Sequence, residues 1–180
     1  MGNNPMGLDF IEGVLGVVSL RFDGLDLGKT VDEANLEFIG NIKDIKFAQN
    51  GTEPYDKVYT GQAWKMTAKL GEQTWLRLQK LMPGLTVVGH SAKLARDLYR
   101  SGRLAFAKVL EIFRVDSDGL PSTDLTYRMH VMLAMPIPKG NVGEFGPDKQ
   151  RAQEIEWYFF YDETHDCFAY TGYSSSLGIF

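Results

Sequence analysis

The feature that most limits what this chain can become is the alternation running from Lys57 to Leu70. Val58, Trp64, Met66, Ala68 and Leu70 fall on one parity and Lys57, Tyr59, Lys65, Thr67 and Lys69 on the other, the period-two signature of a strand with one buried face. A helix would scatter these residues around its circumference, whereas a sheet collects the apolar set on one side. From Gly71 the period lengthens. Trp75, Leu78, Leu81 and Met82 recur at helical spacing, with Glu72 and Lys80 placed to offset the dipole at opposite ends, which predicts a short helix over about 72–82. Pro83 cannot continue that helix, and Gly84 relaxes its exit.

The same periodicity makes most of the remaining chain strand. Val14, Val18, Leu20 and Phe22 oppose Val17, Ser19 and Arg21 in a strand over Val14 to Asp23, closed by an Asp23-Gly24 turn and followed by a short strand at Leu25 to Leu27. Between Asn35 and Ala48 the pattern slips: Leu36 and Phe38 share one parity, Ile45 and Phe47 the other. A bulge near Gly40 reconciles them, because one extra residue swaps the faces. This segment and Lys57 to Leu70 are expected to form a long hairpin with residues 49–56 as its tip. Thr86 to Gly89 reads as a strand fragment. Lys93 to Arg100, with Leu94 and Leu98 one turn apart, reads as a brief helix starting near Ser91. Arg103 to Val115 alternates, with Leu104, Phe106, Leu110 and Ile112 on one face, and is paired across the Asp116–Ser122 loop with a strand at Asp124 to Met135. There Leu125, Tyr127, Met129, Val131, Leu133 and Met135 form the apolar parity. Pro136, Pro138, Gly140, Gly143, Gly146 and Pro147 then predict an irregular segment that a central strand would not tolerate. Gln153 to Tyr161, aromatic on both parities, is expected to be covered on both faces, and Cys167 to Tyr173 is the last strand. The fold class is mainly β, an antiparallel sandwich or barrel with one flanking helix.

At 180 residues and 44% apolar, the chain has enough apolar material for one core and reads as one domain over 11–180 behind an irregular arm at 1–10. A single cysteine, Cys167, rules out an internal disulfide framework. A net charge of -4 argues against a sequence-reading DNA binder with a basic stripe. Neither a secretory leader nor a membrane-length apolar run is evident. Asp116-Ser117-Asp118-Gly119 lacks the glycine and glutamate positions of a calcium loop and reads as a turn. His90, His130 and His165 are scattered without metal-ligand spacing. His165 and Cys167 share a strand face and would have to be bent into contact to act as a nucleophile pair. The expectation is therefore no catalytic, metal or cofactor site, and no enzyme.

Order and spacing within one stretch do carry a resemblance. The run PYDKVYTGQAWKM followed by LGEQTWLRLQKLMPG, with LRFDGLDLGKT upstream, resembles the tail tube proteins of long-tailed bacteriophages over residues 14–85. The matching positions are Gly51, Thr52, Pro54, Asp56, Lys57, Thr60, Gly61, Pro83 and Gly84. The resemblance implies a structural subunit of the virion tail, assembled in the host cytoplasm. Its partners would be copies of itself in stacked hexameric rings, other tail proteins at the tube ends, and phage DNA passing without specific binding or membrane insertion. It assigns the loop Gln49, Asn50, Gly51, Thr52, Glu53, Pro54, Tyr55 and Asp56 to contacts between rings. Glu37, Asp44 and Asp124 are candidates for the channel wall, whereas Lys57, Lys65 and Lys69, read as one strand face, would meet acids of a neighbouring subunit. A tube subunit of a bacterial contractile or secretion device would share this fold. A monomeric barrel stacking a ligand on Trp64, Trp157 and Tyr158 is the rival of a different class.

Overall fold

The computed structural model describes residues 16–45, 56–71, 74–82, 84–89, 91–94, 106–139 and 152–172, which form ten strands and one α-helix. The strands are β1 (Val18–Phe22), β2 (Leu25–Lys29), β3 (Asn35–Ile45), β4 (Asp56–Gly71), β5 (Leu85–Val88), β6 (Ser91–Leu94), β7 (Lys108–Arg114), β8 (Arg128–Lys139), β9 (Ala152–Phe159) and β10 (Ala169–Thr171), with α1 (Trp75–Leu81) between β4 and β5. Eight strands make one antiparallel sheet in the order β2-β1-β7-β8-β9-β4-β3, with β10 added to β8, while β5 and β6 form a separate hairpin.

That sheet is curled into a barrel. Phe22 on β1 packs edge-on against Trp157 on β9, ring centroids 5.0 Å apart, although β7 and β8 lie between them in the sheet. The ends of the sheet meet where Thr30, just after β2, bridges Leu70 of β4. Thr30 donates its N–H to the Val18 carbonyl at 2.8 Å and accepts the Val18 N–H on its hydroxyl at 3.1 Å, while the Val31 N–H reaches the Lys69 carbonyl at 2.8 Å. Inside, Val18, Leu20, Phe22, Leu27, Met66, Ala68, Leu70, Leu110, Ile112, Val131, Ile155 and Trp157 make the core. These are the apolar parities expected of β1, of β4 from Trp64 to Leu70, and of β7; on β9, expected to be covered on both faces, Ile155 and Trp157 face inward. Asp23 and Gly24 take positive φ, 50° and 76°, so the expected turn is present. In β2 the register steps past Leu27, which goes into the core, and Gly28 follows at φ 86° with the Arg77 guanidinium packed over it.

Helix α1 lies beside β2, β5 and β8, with Leu78 and Leu81 buried. Thr74 is its N-cap, accepting the Arg77 N–H, and Lys80 in the last turn pairs with Asp23. The helix starts at Trp75 with no acid in its first turn, so only the Lys80 half of the expected dipole compensation is present. Trp75 is half exposed and does not anchor the helix.

Four expectations need correction. Lys93 and Leu94 belong to β6, not to a helix, because the tight β5–β6 hairpin pairs Leu85 with Leu94 and Thr86 with Lys93; residues 95–100 lie outside the described set. The strand expected from Asp124 begins at Arg128, since Asp124 instead caps a 3-10 turn at Leu125–Tyr127 and leaves both of those side chains substantially exposed. Its inward face also changes midway. The β7–β8 register steps from Leu110↔Val131 to Lys108↔Ala134, and the core passes from Met129 and Val131 to Ala134, while Met135, buried as expected, lies outside that core cluster. Finally, Pro136 and Pro138 lie within β8, opposite Trp157 and Ile155. The Leu133 carbonyl accepts from Phe160 N–H, so odd residues of β8 point their backbone groups at β9. The two prolines therefore turn their nitrogens the other way, past the last β7 pair at Ala134, where no donor is required. The expected N-terminal arm and the loop tip at 49–55 lie outside the described residues.

Thr30→Val keeps the seam's shape but strands a buried Val18 N–H. We expect it to cost about 1–3 kcal/mol in urea denaturation.

Candidate assembly surface

β3 and β4 pair from Asn35↔Thr67 to Ile45↔Asp56, the long hairpin the sequence predicts. Only part of it belongs to the barrel wall. β9 covers β4 from Gly71 to Trp64, and beyond that residues 56–63 of β4 have β3 as their sole strand partner among the described residues. The far edge of β3 carries no strand at all among the described residues. The hairpin thus leaves the barrel as a two-stranded arm, with Phe38 stacked at a tilt on Trp64 at its root, 4.9 Å between centroids, and Phe38 44% exposed. Asp56 is already the first residue of β4, so the expected loop ends one residue earlier.

A bulge lies next to the expected place, but on the other strand. Asn41 pairs with Gly61 and Ile42 with Tyr59, so the extra residue is Thr60 of β4, whose hydroxyl donates to the Asn41 carbonyl at 3.2 Å. Parity along β4 therefore flips at Thr60, while β3 keeps its own. Val58 ends on the face opposite Trp64, and Lys57 on the face opposite Lys65. On β3, Glu37 and Asp44 also point to opposite faces. Each is paired across the ladder: Glu37 with Lys65 at 2.8 Å, and Asp44 with Lys57 at 4.0 Å. Asp124 sits elsewhere, on the connection into β8, with its carboxylate accepting from the Thr126 N–H and hydroxyl, which lowers its pKa. The three candidate wall carboxylates do not converge. The lysines expected to seek a neighbouring subunit meet acids of their own chain, Lys69 doing so with Asp32 at 3.1 Å.

A cluster that sequence patterns do not reveal surrounds Glu156. This carboxylate, nearly fully buried on the outward side of β9, accepts from Lys139 at 2.9 Å and the Tyr158 hydroxyl at 2.8 Å, and pairs with Lys65 at 3.1 Å. Burial pushes its pKa up, but the hydrogen bonds from Lys139, Tyr158 and Lys65 outweigh that and hold it below the ordinary value. Lys65 is raised, first by Glu37 and then by Glu156. The outer face of β9 is therefore covered by its own chain. Only the approach of Lys139 and Lys65, distant in sequence, makes Glu156 differ from any exposed glutamate on a strand.

The remaining candidates separate. The Gly119 N–H closes the turn at 116–119 on the Asp116 carbonyl at 2.8 Å, and the Asp118 carboxylate accepts the Leu120 N–H at 2.8 Å. His165 contacts Asp162, and burial raises the Cys167 thiol, away from the thiolate a nucleophile needs. Trp157 is wholly inside the barrel and offers no face to a ligand. Trp64, with Leu36, Met129, Phe159 and Phe168, lines an apolar cavity of about 300 Å³. The cavity exists because β9 and β10 lie on the same edge of β8, and the detour between them leaves β4 without a partner past Trp64.

No family model and no curated protein matches this chain. Among solved structures, it is similar at 14% identity to a chain of the anti-feeding prophage (AFP) baseplate, solved by cryo-EM with 6-fold symmetrisation. The likeness covers 79% of this chain and 87% of that one, at a TM-score of 0.40.

Glu156 is held below its ordinary pKa of 4.5, so its contribution to stability is complete above that pH and is lost as pH falls through the depressed value. We expect Glu156→Gln to lower the urea midpoint at pH 7, and the gap from wild type to narrow steadily towards pH 3.

Proposed function

We propose that this chain is a structural subunit of a bacteriophage tail tube, forming stacked hexameric rings that conduct DNA, with no catalytic role. The β3–β4 arm is the observation that carries the reading. A two-stranded ribbon is marginal in water by itself, and a long open edge invites pairing with another chain. Joining copies edge to edge around a ring gives every arm a partner and leaves none over when the ring closes. The sequence resemblance adds the loop at 49–56, which the arm would carry to the next ring.

The task of such a wall is passive. A conduit must not hold phosphates, and bound lysine or arginine contacts would do so. Each copy brings a net charge of -4; on the arm Lys57 is engaged by Asp44, and in the barrel wall at its root Lys65 is engaged by Glu37. Repulsion by the summed negative field then keeps the polyanion moving. Because β3 alternates without a break, Glu37 and Asp44 point to opposite faces, and only one of the two acids can line the bore. Asp44 shares its face with Trp64 and the barrel interior, Glu37 with the outer Glu156 cluster.

Negative-stain microscopy of the full chain at high concentration should show rings or tubes. A lone small particle at every concentration would overturn the reading. Phe38→Lys places a charge on the arm's open strand and should suppress polymers, while changing monomer stability by only about 0.2–1 kcal/mol, the worth of one cross-strand pair.

A further inference from the structure

Four side chains stand in one cross-strand row on the outward face of the barrel. Arg21 of β1 faces Glu111 of β7, Glu111 faces His130 of β8, and His130 faces Tyr170 of β10. Arg21 Nη1 is 3.5 Å from Glu111 Oε2, and His130 Nδ1 is 3.6 Å from Glu111 Oε1. The His130 and Tyr170 rings are parallel within 4°, centroids 4.8 Å apart. Arg128, in the adjacent row, bonds the same Glu111 carboxylate and lies over the Phe113 ring. The glutamate is thus shared by two guanidinium groups, and little of its charge is left for an imidazolium. β10 itself is held by three register pairs with β8, the Gly172 N–H on the Arg128 carbonyl at 2.9 Å, and the ring stack. The same strand walls the apolar cavity through Ala169, Tyr170 and Thr171.

We propose that His130 is a proton-operated latch: its neutral ring clamps β10 to the barrel, and gaining a proton loosens β10 and opens the cavity behind it. The groups facing His130 are Glu111 from β7, Arg128 beside it on β8, Arg21 from β1 through Glu111, and the Tyr170 phenol from β10. Burial and then the Arg128 charge hold His130 below its ordinary 6.5, with Glu111 opposing them less strongly. Burial raises Tyr170, which stays neutral throughout. The closed strand is therefore favoured in full above pH 6.5, and that preference declines as pH falls below it. The latch belongs to the free chain and does not depend on the assembly proposed above.

Hydrogen exchange of the amides at 169–172 in the full-length chain tests this, comparing pH 7.5 with pH 5.5 after correction for intrinsic rates. Protection should fall with acid by up to about tenfold per pH unit, the limit for one linked proton, while β1 amides hold theirs. His130→Gln should abolish that pH dependence, and His165→Gln, which alters the other histidine among the described residues, should retain it. A His130 imidazole that titrates at or above 6.5 by NMR overturns the proposal, as does β10 protection that tracks β1 or a pH dependence that survives in His130→Gln.

Discussion

The barrel depends on a seam one residue wide. Thr30 ends the β2 side of the sheet and Leu70 nears the end of β4, and their bridge is where a sheet of consecutive neighbours becomes a closed wall. The side chain at this place has to fill the interior and still accept a buried backbone N–H, which a threonine hydroxyl does for Val18. Closure then permits contacts that an open sheet would not make, such as Phe22 on Trp157 across the interior. The seam also sets the course of β3. Having met β4 at residues 69–70, the chain continues along the same edge of β4 as β3, so barrel closure and the projecting arm arise from one path.

Charge on this molecule is organised across strands. Glu111 gathers Arg21 from β1 and Arg128 and His130 from β8, and Glu156 gathers Lys65 from β4 and Lys139 from β8. Both glutamates lie on the outward face, each largely covered by the long side chains that pair with it. Lysine and arginine stems can shield a carboxylate in this way while their heads remain near water. Exposed apolar groups include Phe38 at the root of the arm, Trp75 and Leu76 on α1, and Leu120, Leu125 and Tyr127 on the connection from β7 to β8.

The proposed tube assembly and the proposed latch concern two ends of the same irregularity. β4 outruns β9 at Trp64, and on one side this frees the arm, while on the other it leaves the cavity that β10 only partly closes. A barrel with all strands of equal length would have neither feature. The uneven strand lengths leave the arm with an open edge and set β10 against the cavity.

Strand identity and inward face were legible wherever one face is apolar and the other polar. The parities of β1 and β7, the Asp23-Gly24 turn and the β3–β4 hairpin all follow from residue order, because alternation and turn chemistry are local. Register irregularities were not legible. The parity slip in β3 signals a bulge but cannot say which strand carries the extra residue, and its placement at Thr60 instead of on β3 decides that Glu37 and Asp44 face apart. Pro136 and Pro138 read as breakers because a sequence does not show that β7 stops before them. Likewise, no pattern marks Glu156 or His130, whose character comes from partners on other strands. By itself the sequence determined a mainly β chain with a short helix after its longest strand, since backbone periodicity fixes which side chains share a face. Which faces closed on one another, which edge stayed open and which charges met were decided by the tertiary structure, because those depend on how far each strand extends beside its neighbour.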